Sequence, residues 1–184
     1  MRFAVFETAL GWCAIAWSEA GIARGWLPDG EAAVRASVAR RCPEAVEAEP
    51  TGFAAEAVAG VKALMAEGKA DLSFVPLDPT GIAPLHARLY EIARAIPPGE
   101  TLTYGQAAEK LGDRNLAREV GRALGLNPFP PIVPCHRILA ASGKTGGFSA
   151  PGGVETKMRL LNVERARTTT APLLFDELPL AARP

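Results

Sequence analysis

The sequence predicts two units: an α/β N-terminal half with a small antiparallel sheet and helices, and a mostly α-helical C-terminal half with a helix-turn-helix. Three observations lead to this fold class. Aromatic and β-branched residues alternate with smaller ones near the N-terminus, which favours strands. Apolar residues later recur at spacings of three and four, which is typical of helices. Pro76, Pro79 and Pro84 interrupt any regular element between the two halves.

These prolines set the expected domain boundaries. We predict an N-terminal scaffold domain at residues 1–79, a functional domain at residues 80–165 and a loosely ordered tail at residues 166–184. With 184 residues, of which 48% are hydrophobic, the chain is long enough to bury a sizeable core.

The N-terminal half reads as strands followed by helices. The segments "RFAVFET", "GWCAIAW" and "GIARGWLP" are predicted strands joined by turns at "TALG" and "SEAG". Two helices follow, in "DGEAAVRASVARRC" and "TGFAAEAVAGVKALMAEG", with Asp29 and Thr51 as expected N-caps. A further strand is predicted at "DLSFVPL". Nothing in this half has a catalytic pattern, so we interpret it as a packing scaffold.

The C-terminal half begins with helical segments. A helix starting at Pro84 ends before "PPG", and a second helix, "TYGQAAEKL", ends at Gly112. After the turn "GDRN", a third helix, "LAREVGRALG", runs to Gly125. The order predicts a helix-turn-helix, although helical bundles that do not touch DNA also contain this motif.

The third helix combines two arginines with small residues. Arg118 and Arg122 are four apart and share a face, while Ala117 and Gly121 leave little side-chain bulk. Such a surface suits either tight helix packing or insertion into a narrow groove.

Charge is unevenly distributed, although the formal net charge is zero. Residues 1–85 carry 7 Lys+Arg against 11 Asp+Glu, whereas residues 86–167 carry 12 against 7. The basic half is the one with the helix-turn-helix. This asymmetry is compatible with phosphate binding, and a solvated surface of mixed charge is the alternative.

A proline-rich loop, "NPFPPIVPCHR", follows the third helix. Its four prolines fix the backbone and remove amide donors, so we expect a stiff, extended loop that ends at Cys135. A preorganised loop of this kind can present a nucleophile with little loss of entropy. His136 is adjacent, but neighbouring side chains on a helix or strand do not usually face each other.

The remaining composition excludes several classes. Cys13, Cys42 and Cys135 are odd in number and far apart in sequence, which suggests neither a disulfide framework nor a metal knuckle, so we expect a reducing cytoplasm. The apolar run "TALGWCAIAWS" is flanked by Glu7 and Glu19 and is too short to span a bilayer, so no membrane partner is expected. There is no nucleotide-binding fingerprint, and we predict no metal and no organic cofactor.

The motifs "TYGQAAEKLG", "REVGRALG", "NPFPPIVPCHRIL" and "GKTGGFSAPGGVETKMRLLNVE", in that order, resemble the O6-alkylguanine-DNA alkyltransferases, also called methylated-DNA-protein-cysteine methyltransferases. The resemblance covers about residues 80–165. It implies a winged-helix-like C-terminal domain and a monomer that binds double-stranded DNA containing an alkylated guanine. The implied activity is DNA repair by flipping the nucleotide and moving its O6-alkyl (methyl) group to the protein once.

The resemblance also implies catalytic roles. Cys135 matches the alkyl acceptor, and His136 matches a base that acts through a water. Glu164 matches the carboxylate that orients this histidine. Asn127 matches the residue that ties the active-site turn to the helix-turn-helix, and Tyr104 matches a tyrosine that meets the DNA backbone and the flipped base.

Glu155 is the competing carboxylate in the same segment, and motif order favours Glu164.

By the same resemblance, Arg118 enters the minor groove and fills the gap left by the extruded nucleotide. Arg122, Ala117, Gly121 and Tyr104 are the other expected DNA-binding residues. A salt bridge from Arg118 to Glu119 or Asp113 is the structural alternative.

Phe148 and Ser149, together with Ile138 and Pro130, are expected to form the substrate pocket. Core packing is the alternative role of Phe148.

The first helix of this domain departs from the family, because Leu85, His86 and Tyr90 stand where many relatives have a phenylalanine, glutamine and tryptophan run. We interpret these as packing positions.

Two other function classes stay open. One is a non-catalytic helix-turn-helix protein that binds damaged DNA or acts as a regulatory protein, and in which Cys135 is inert. The other is a cysteine hydrolase that uses Cys135 and His136. The set Cys135, His136, Asn127 and Glu164 argues against the first, and the adjacency of the first two argues against the second.

Overall fold

A computed structural model describes residues 1–141 and 146–166 of the chain. The predicted tail at residues 166–184 lies, except for Ala166, outside the described residues. In the described part, none of the helices has both the length and the apolar character needed to cross a bilayer.

The N-terminal half is built on a four-stranded sheet with the spatial order β3-β2-β1-β4. Its strands are β1 (Arg2–Thr8), β2 (Gly11–Trp17), β3 (Ile22–Asp29) and β4 (Val46–Glu47). The first three are antiparallel, as predicted. The sheet is mixed, however, because β4 runs parallel to β1. β4 has only two residues, both exposed, so it has no apolar alternation that the sequence pattern could reveal.

The sheet is covered on both faces by helices. α1 (Glu31–Arg41) packs against Ala14, Ala16 and Trp26, and α2 (Phe53–Glu67) packs against the opposite face. The helices match the predicted segments, but their caps do not. Gly30 and Gly52 are the N-caps, and neither helix has a side-chain cap hydrogen bond.

The strand predicted at "DLSFVPL" is wrong. The segment turns instead, because the Asp71 carboxylate accepts hydrogen bonds from the backbone and hydroxyl of Ser73. Only Leu77 forms a β-bridge, to Ile22. The Arg94 guanidinium then anchors the segment by donating to the Val75 carbonyl at 2.7 Å.

The C-terminal half contains the predicted helix-turn-helix. The helices of this half are α3 (Pro84–Arg94), α4 (Tyr104–Leu111), α5 (Ala117–Gly125) and α6 (Gly153–Val163), of which α4 and α5 form the helix-turn-helix. A 3-10 turn, Arg114–Leu116, joins α4 to α5. Thr103 and Gln106 form a capping box at the start of α4. The short strands β5 (Leu102–Thr103) and β6 (Ile138–Leu139) pair in parallel beside these helices. The predicted fold class is thus confirmed, with the mixed sheet as its correction.

The proline-rich loop rests on the edge of the sheet. The Gly25 amide in β3 donates to the Pro128 carbonyl at 2.8 Å. A Cβ at Gly25 would lie 2.0 Å from the Pro130 carbonyl oxygen, so the strand and the loop approach each other more closely than any side chain allows. The N-terminal half therefore supports the loop directly, and residue 25 must be glycine for this contact.

This close approach yields a stability prediction. Gly25→Ala should lower the free energy of unfolding by about 1–3 kcal/mol, because the added methyl group collides with backbone that can only move by displacing the loop. Gly125→Ala, at the last residue of α5, is the matched control, since a Cβ there also meets nothing within 4 Å. Urea unfolding followed by circular dichroism would measure both variants. Equal stability of the two would contradict the inferred contact.

Candidate active site

The loop that carries Cys135 is a compact turn and not the extended segment expected. The Val133 amide donates to the Phe129 carbonyl at 2.9 Å. The side chain of Asn127 closes the turn, because its Nδ2 donates to the Val133 carbonyl and its Oδ1 accepts from the Phe129 amide, both at 2.9 Å. Proline rigidity alone did not predict this closure, which needs the side-chain amide as a clamp.

Cys135, His136 and Arg137 form a 3-10 turn at the end of this loop. In a 3-10 turn, successive side chains point in directions about 120° apart. The half-buried thiol of Cys135 and the buried ring of His136 therefore reach different neighbours. Adjacency in sequence does not by itself make them partners.

A buried carboxylate holds this turn. Glu164, the residue after α6, accepts from His136 Nε2 through Oε1 at 2.8 Å, and the side chains of both residues are only 1% exposed. The Arg137 guanidinium donates to both carboxylate oxygens at 2.9 Å, and the Gly99 amide lies 3.4 Å from Oε2. Glu155, the competing carboxylate, is exposed.

These contacts keep Glu164 ionised. Burial by itself would raise its pKa, but the hydrogen bonds from His136 and Arg137 lower the pKa to about 2. An ionised carboxylate only accepts hydrogen bonds, so His136 Nε2 must carry the proton in this pair. In the neutral ring, Nδ1 then carries the lone pair.

His136 is set up as a neutral base. Burial lowers its pKa, against the opposing effect of Glu164. Its Nδ1 is buried and has no hydrogen-bond partner among the residues of segments 1–141 and 146–166. A lone pair with no protein partner can accept a proton from a nearby group.

The thiol of Cys135 needs such a base. Burial raises its pKa, and the side chain of Asn127 and the positive charge of Lys157 oppose that rise. Because the net direction is upward, less thiolate forms spontaneously than in a free cysteine.

Lys157 and the role of Arg137 were not predicted. The Lys157 ammonium is buried, donates to the Ile138 carbonyl at 2.8 Å and lies 5.8 Å from the centroid of the Phe148 ring. Burial lowers its pKa to about 8. The spacing from Lys157 to Leu160 and Glu164 is three and then four, so a helical reading of this segment would have placed the lysine on the buried face.

A cavity of about 460 Å³ opens beside the thiol, which is within the usual size range of small-molecule sites. Four of the predicted residues besides Cys135 line it, and its full lining is Tyr104, Gly121, Leu124, Gly125, Cys135, Gly147, Phe148 and Ser149. Burial raises the pKa of Tyr104, so its hydroxyl stays protonated at neutral pH.

Two expected pocket residues lie elsewhere. Ile138 is fully buried in the core, and its carbonyl is already bonded to Lys157. Pro130 does not line this cavity but an adjoining one. Phe148, whose alternative role was core packing, lines the cavity and also packs against the N-terminal core.

Four of the five predicted DNA-binding residues lie on α5, and the fifth, Tyr104, is the first residue of α4. Arg118 is exposed and has no ion pair among the described residues, so neither Glu119 nor Asp113 engages it. Glu119 pairs with Arg122 instead, at 2.8 Å. Ala117 packs partly against the C-terminal core, while Gly121 lines the cavity.

The departures in α3 serve packing. His86 Nε2 lies 3.4 Å from Glu119, and the Tyr90 hydroxyl donates to the Ala123 carbonyl at 3.0 Å. The Tyr90 ring also makes an edge contact with Phe129. Leu85 packs against the same core. These residues join α3 to α5 and the active-site loop.

Comparison with known proteins identifies the family. Residues 84–166 match the family model described as the 6-O-methylguanine DNA methyltransferase, DNA binding domain. A methylated-DNA–protein-cysteine methyltransferase of Mycobacterium leprae is 39% identical over 125 residues, which are 68% of this chain and 73% of the relative. The chain belongs to the methylated-DNA–protein-cysteine methyltransferase family. The resemblance stated from the motifs is confirmed.

Other family relatives differ in how much they align. A DNA base-flipping protein of Thermus thermophilus is 38% identical over 77% of this chain and 92% of its own length. A methyltransferase of Mycolicibacterium paratuberculosis is 44% identical over 48% of this chain, and the match spans only 53% of that relative. The chain thus spans about half the length of the first curated relatives that it matches.

The fold also agrees with the family. The crystal structure of Mycobacterium tuberculosis OGT in complex with DNA superimposes with a TM-score of 0.74 at 27% identity, covering 90% of this chain and 93% of that one. The N-terminal half, in which the motifs revealed no resemblance, is therefore part of the shared fold.

The Glu164 site predicts a pH dependence of stability. Its pKa is about 2 in the folded protein, against about 4.3 in an unfolded chain. The folded state therefore binds fewer protons between these values, and the stabilisation is complete above about pH 4.3 and lost as the pH falls toward 2. The full linkage amounts to about 3 kcal/mol.

In Glu164→Gln this part of the pH dependence should disappear, and the variant should also be less stable at pH 7 because Arg137 keeps a buried, unpaired charge. Glu155→Gln, at an exposed position of α6, is the control. Urea unfolding at several pH values measures the effect. An unchanged slope in Glu164→Gln below pH 4.3 would contradict the assignment.

Proposed function

We propose that this protein repairs DNA by transferring an alkyl (methyl) group from O6 of guanine in duplex DNA to Cys135, once per molecule. The observation that carries the proposal is a cysteine on the wall of a cavity large enough for a nucleobase, next to a histidine held by a buried carboxylate. Membership in the methyltransferase family supports the same chemistry.

The proposed reaction is a single in-line displacement. His136 Nδ1 accepts the thiol proton of Cys135 through a bridging water, and Glu164 stabilises the imidazolium that forms. The thiolate attacks the alkyl carbon, so a carbon–sulfur bond forms as the carbon–O6 bond breaks. The departing guanine gains negative charge, and the Tyr104 hydroxyl donates a hydrogen bond to it.

The product explains the single turnover. A thioether is not hydrolysed by water, and among the described residues no second thiol lines the cavity to take the alkyl group onward. Because the thiol is consumed, each molecule repairs one lesion.

Duplex binding is assigned to the helix-turn-helix. We propose that α5 enters the minor groove with Ala117 and Gly121 against the DNA, and that Arg118 fills the space of the extruded nucleotide. The exposure of Arg118 without an ion pair in the described part of the chain supports this role. Arg122 contacts the DNA from the next turn.

The pocket and the domain roles follow. In the proposed complex the extruded base lies against Phe148 and Ser149, while Pro130 lines the adjoining cavity and Ile138 belongs to the buried core. Residues 80–165 form the DNA-binding and transfer domain, and residues 1–79 support it through Gly25.

We infer a monomer, since the proposed groups all come from one chain. The three unpaired cysteines support a cytoplasmic location.

A second candidate is a DNA base-flipping protein without transfer, which the Thermus thermophilus relative favours by its name and extent of alignment. Family membership leaves the cysteine hydrolase with no support.

Mass spectrometry separates the two candidates. Incubation with a duplex carrying one O6-methylguanine should add the mass of one methyl group to the intact protein, and peptide mapping should locate it at Cys135. Cys135→Ala should gain no mass yet bind the duplex with unchanged affinity. Retardation of the duplex by the unmodified protein without any mass gain would identify the binding protein instead.

Arg118→Ala tests the flipping role. Transfer from the duplex should slow by at least about tenfold, equivalent to about 1.4 kcal/mol. Without Arg118, nothing fills the gap that the extruded nucleotide leaves in the base stack, so the flipped state is less stable. Transfer from free O6-methylguanine should be unchanged. Arg2→Ala, an exposed arginine of β1, is the control. Equal slowing on both substrates would mean that Arg118 acts on the site itself.

A further inference from the structure

A second cavity, of about 610 Å³, adjoins the first and reaches the N-terminal half. Five residues line both cavities: Leu124, Gly125, Cys135, Phe148 and Ser149. The far wall of the second cavity comes from β3 and α1 and includes Arg24, Arg40 and Arg41. The half that was predicted to be only a scaffold thus faces the active site with positive charge.

The charge on this wall is concentrated. Residues 1–85 contain 7 Lys+Arg against 11 Asp+Glu, yet three of these cations line the one cavity, with Asp29 as the only carboxylate that the described residues bring to its lining. Across segments 1–141 and 146–166, none of the three arginines has a carboxylate within ion-pair distance. By contrast, Arg35, on the same helix as Arg40 and Arg41, forms ion pairs with Glu31 and Glu47.

The fold holds these arginines in place. Arg24 directly precedes Gly25, whose amide is bonded to the active-site loop, so the backbone of Arg24 is held beside that loop. Arg40 and Arg41 end α1, where the helix dipole favours cations, and Arg40 Nη2 lies 3.4 Å from the Ser37 hydroxyl.

The wall continues the surface of α5. Gly125 is the last residue of α5 and lines both cavities, and Leu126 after it is 64% exposed. A helix seated in a groove of the duplex leaves DNA running past its end. The second cavity is also lined by Asn127 and Pro128, which follow α5 in the chain, so its wall joins the end of this helix to the arginines of the N-terminal half.

We propose that Arg24, Arg40 and Arg41 bind backbone phosphates of the lesion-containing duplex and extend its binding surface onto the N-terminal half. The inference rests on the proposed function, since it needs α5 in contact with DNA. Planar guanidinium groups that have no carboxylate partner in the described part of the chain are well suited to phosphate oxygens. A carboxylate on a larger O6-substituent is another source of the same anionic chemistry, because the cavity begins at the sulfur.

Salt dependence of binding tests the proposal. The probe is a duplex with one O6-methylguanine, bound by Cys135→Ala protein to prevent transfer, over a series of KCl concentrations. Combining Arg40→Ala with Arg41→Ala should make the slope of log K against log[KCl] shallower by about 0.9 for each phosphate that the variant no longer neutralises. Arg24→Gln, which removes one cation, should make the slope shallower by about 0.9. Arg40→Lys with Arg41→Lys should largely restore the slope.

Two controls make the outcome specific. Lys69→Ala removes an exposed cation of the same half that lines none of these cavities, and it should leave the slope unchanged. Arg118→Ala reports on the helix-turn-helix itself. If Arg118→Ala weakens duplex binding and the wall variants keep the full slope, the wall proposal is overturned and the proposed function stands. If the unsubstituted protein neither binds the duplex nor gains a methyl group, the proposed function fails.

An experiment with free bases distinguishes backbone phosphate from a carboxylate on the O6-substituent as the anion that the arginines bind. It uses protein in which Cys135 is intact. The wall variants should accept the methyl group of free O6-methylguanine, and the substituent of free O6-carboxymethylguanine, at unchanged rates. Selective slowing with the carboxymethyl base would mean that the arginines bind the substituent, which would overturn the phosphate assignment.

Discussion

The carboxylate of Glu164 is the group on which the rest of the site depends. It lies between His136 and Arg137 and is almost fully buried. Burying one charge is costly, but here a guanidinium fork, an imidazole and a backbone amide surround it. The same contacts determine which imidazole nitrogen carries the proton. The contacts of Glu164 therefore hold the turn in place and leave Nδ1 as the nitrogen of His136 that can accept a proton.

Two supports bring this ion pair to the thiol. The first is the clamp of Asn127, which closes the loop before Cys135. The second is the contact between the ends of α2 and α6. Gly68 is in the left-handed region, at φ +69°, and a Cβ there would lie 2.0 Å from the Val163 carbonyl oxygen. The N-terminal half thus supports the site at two places, through Gly25 behind the loop and Gly68 behind Glu164.

Electrostatics at the sulfur reflect a balance between burial and charge. Burial disfavours the thiolate, whereas Lys157 favours it from the core side of the cavity. A resting thiol with a raised pKa is protected from adventitious oxidation and alkylation. In the proposed reaction it becomes nucleophilic only when a base removes its proton. In the proposed complex with DNA, the N-terminal arginines hold the duplex and do not tune the sulfur.

The sequence by itself determined the elements that depend on local patterns. It predicted the three long strands and the helix-turn-helix, because alternation and helical spacing are visible along the chain. The pair of His136 and Glu164 was implied by the resemblance of the ordered motifs to the family. It did not predict the two-residue β4 or the turn at Asp71, where few residues carry the signal. Only the tertiary structure decided that the loop is compact, that Arg137 is buried, and that Arg24 and Cys135 line one cavity. These features come from residues distant in sequence, whose packing cannot be read from any one segment.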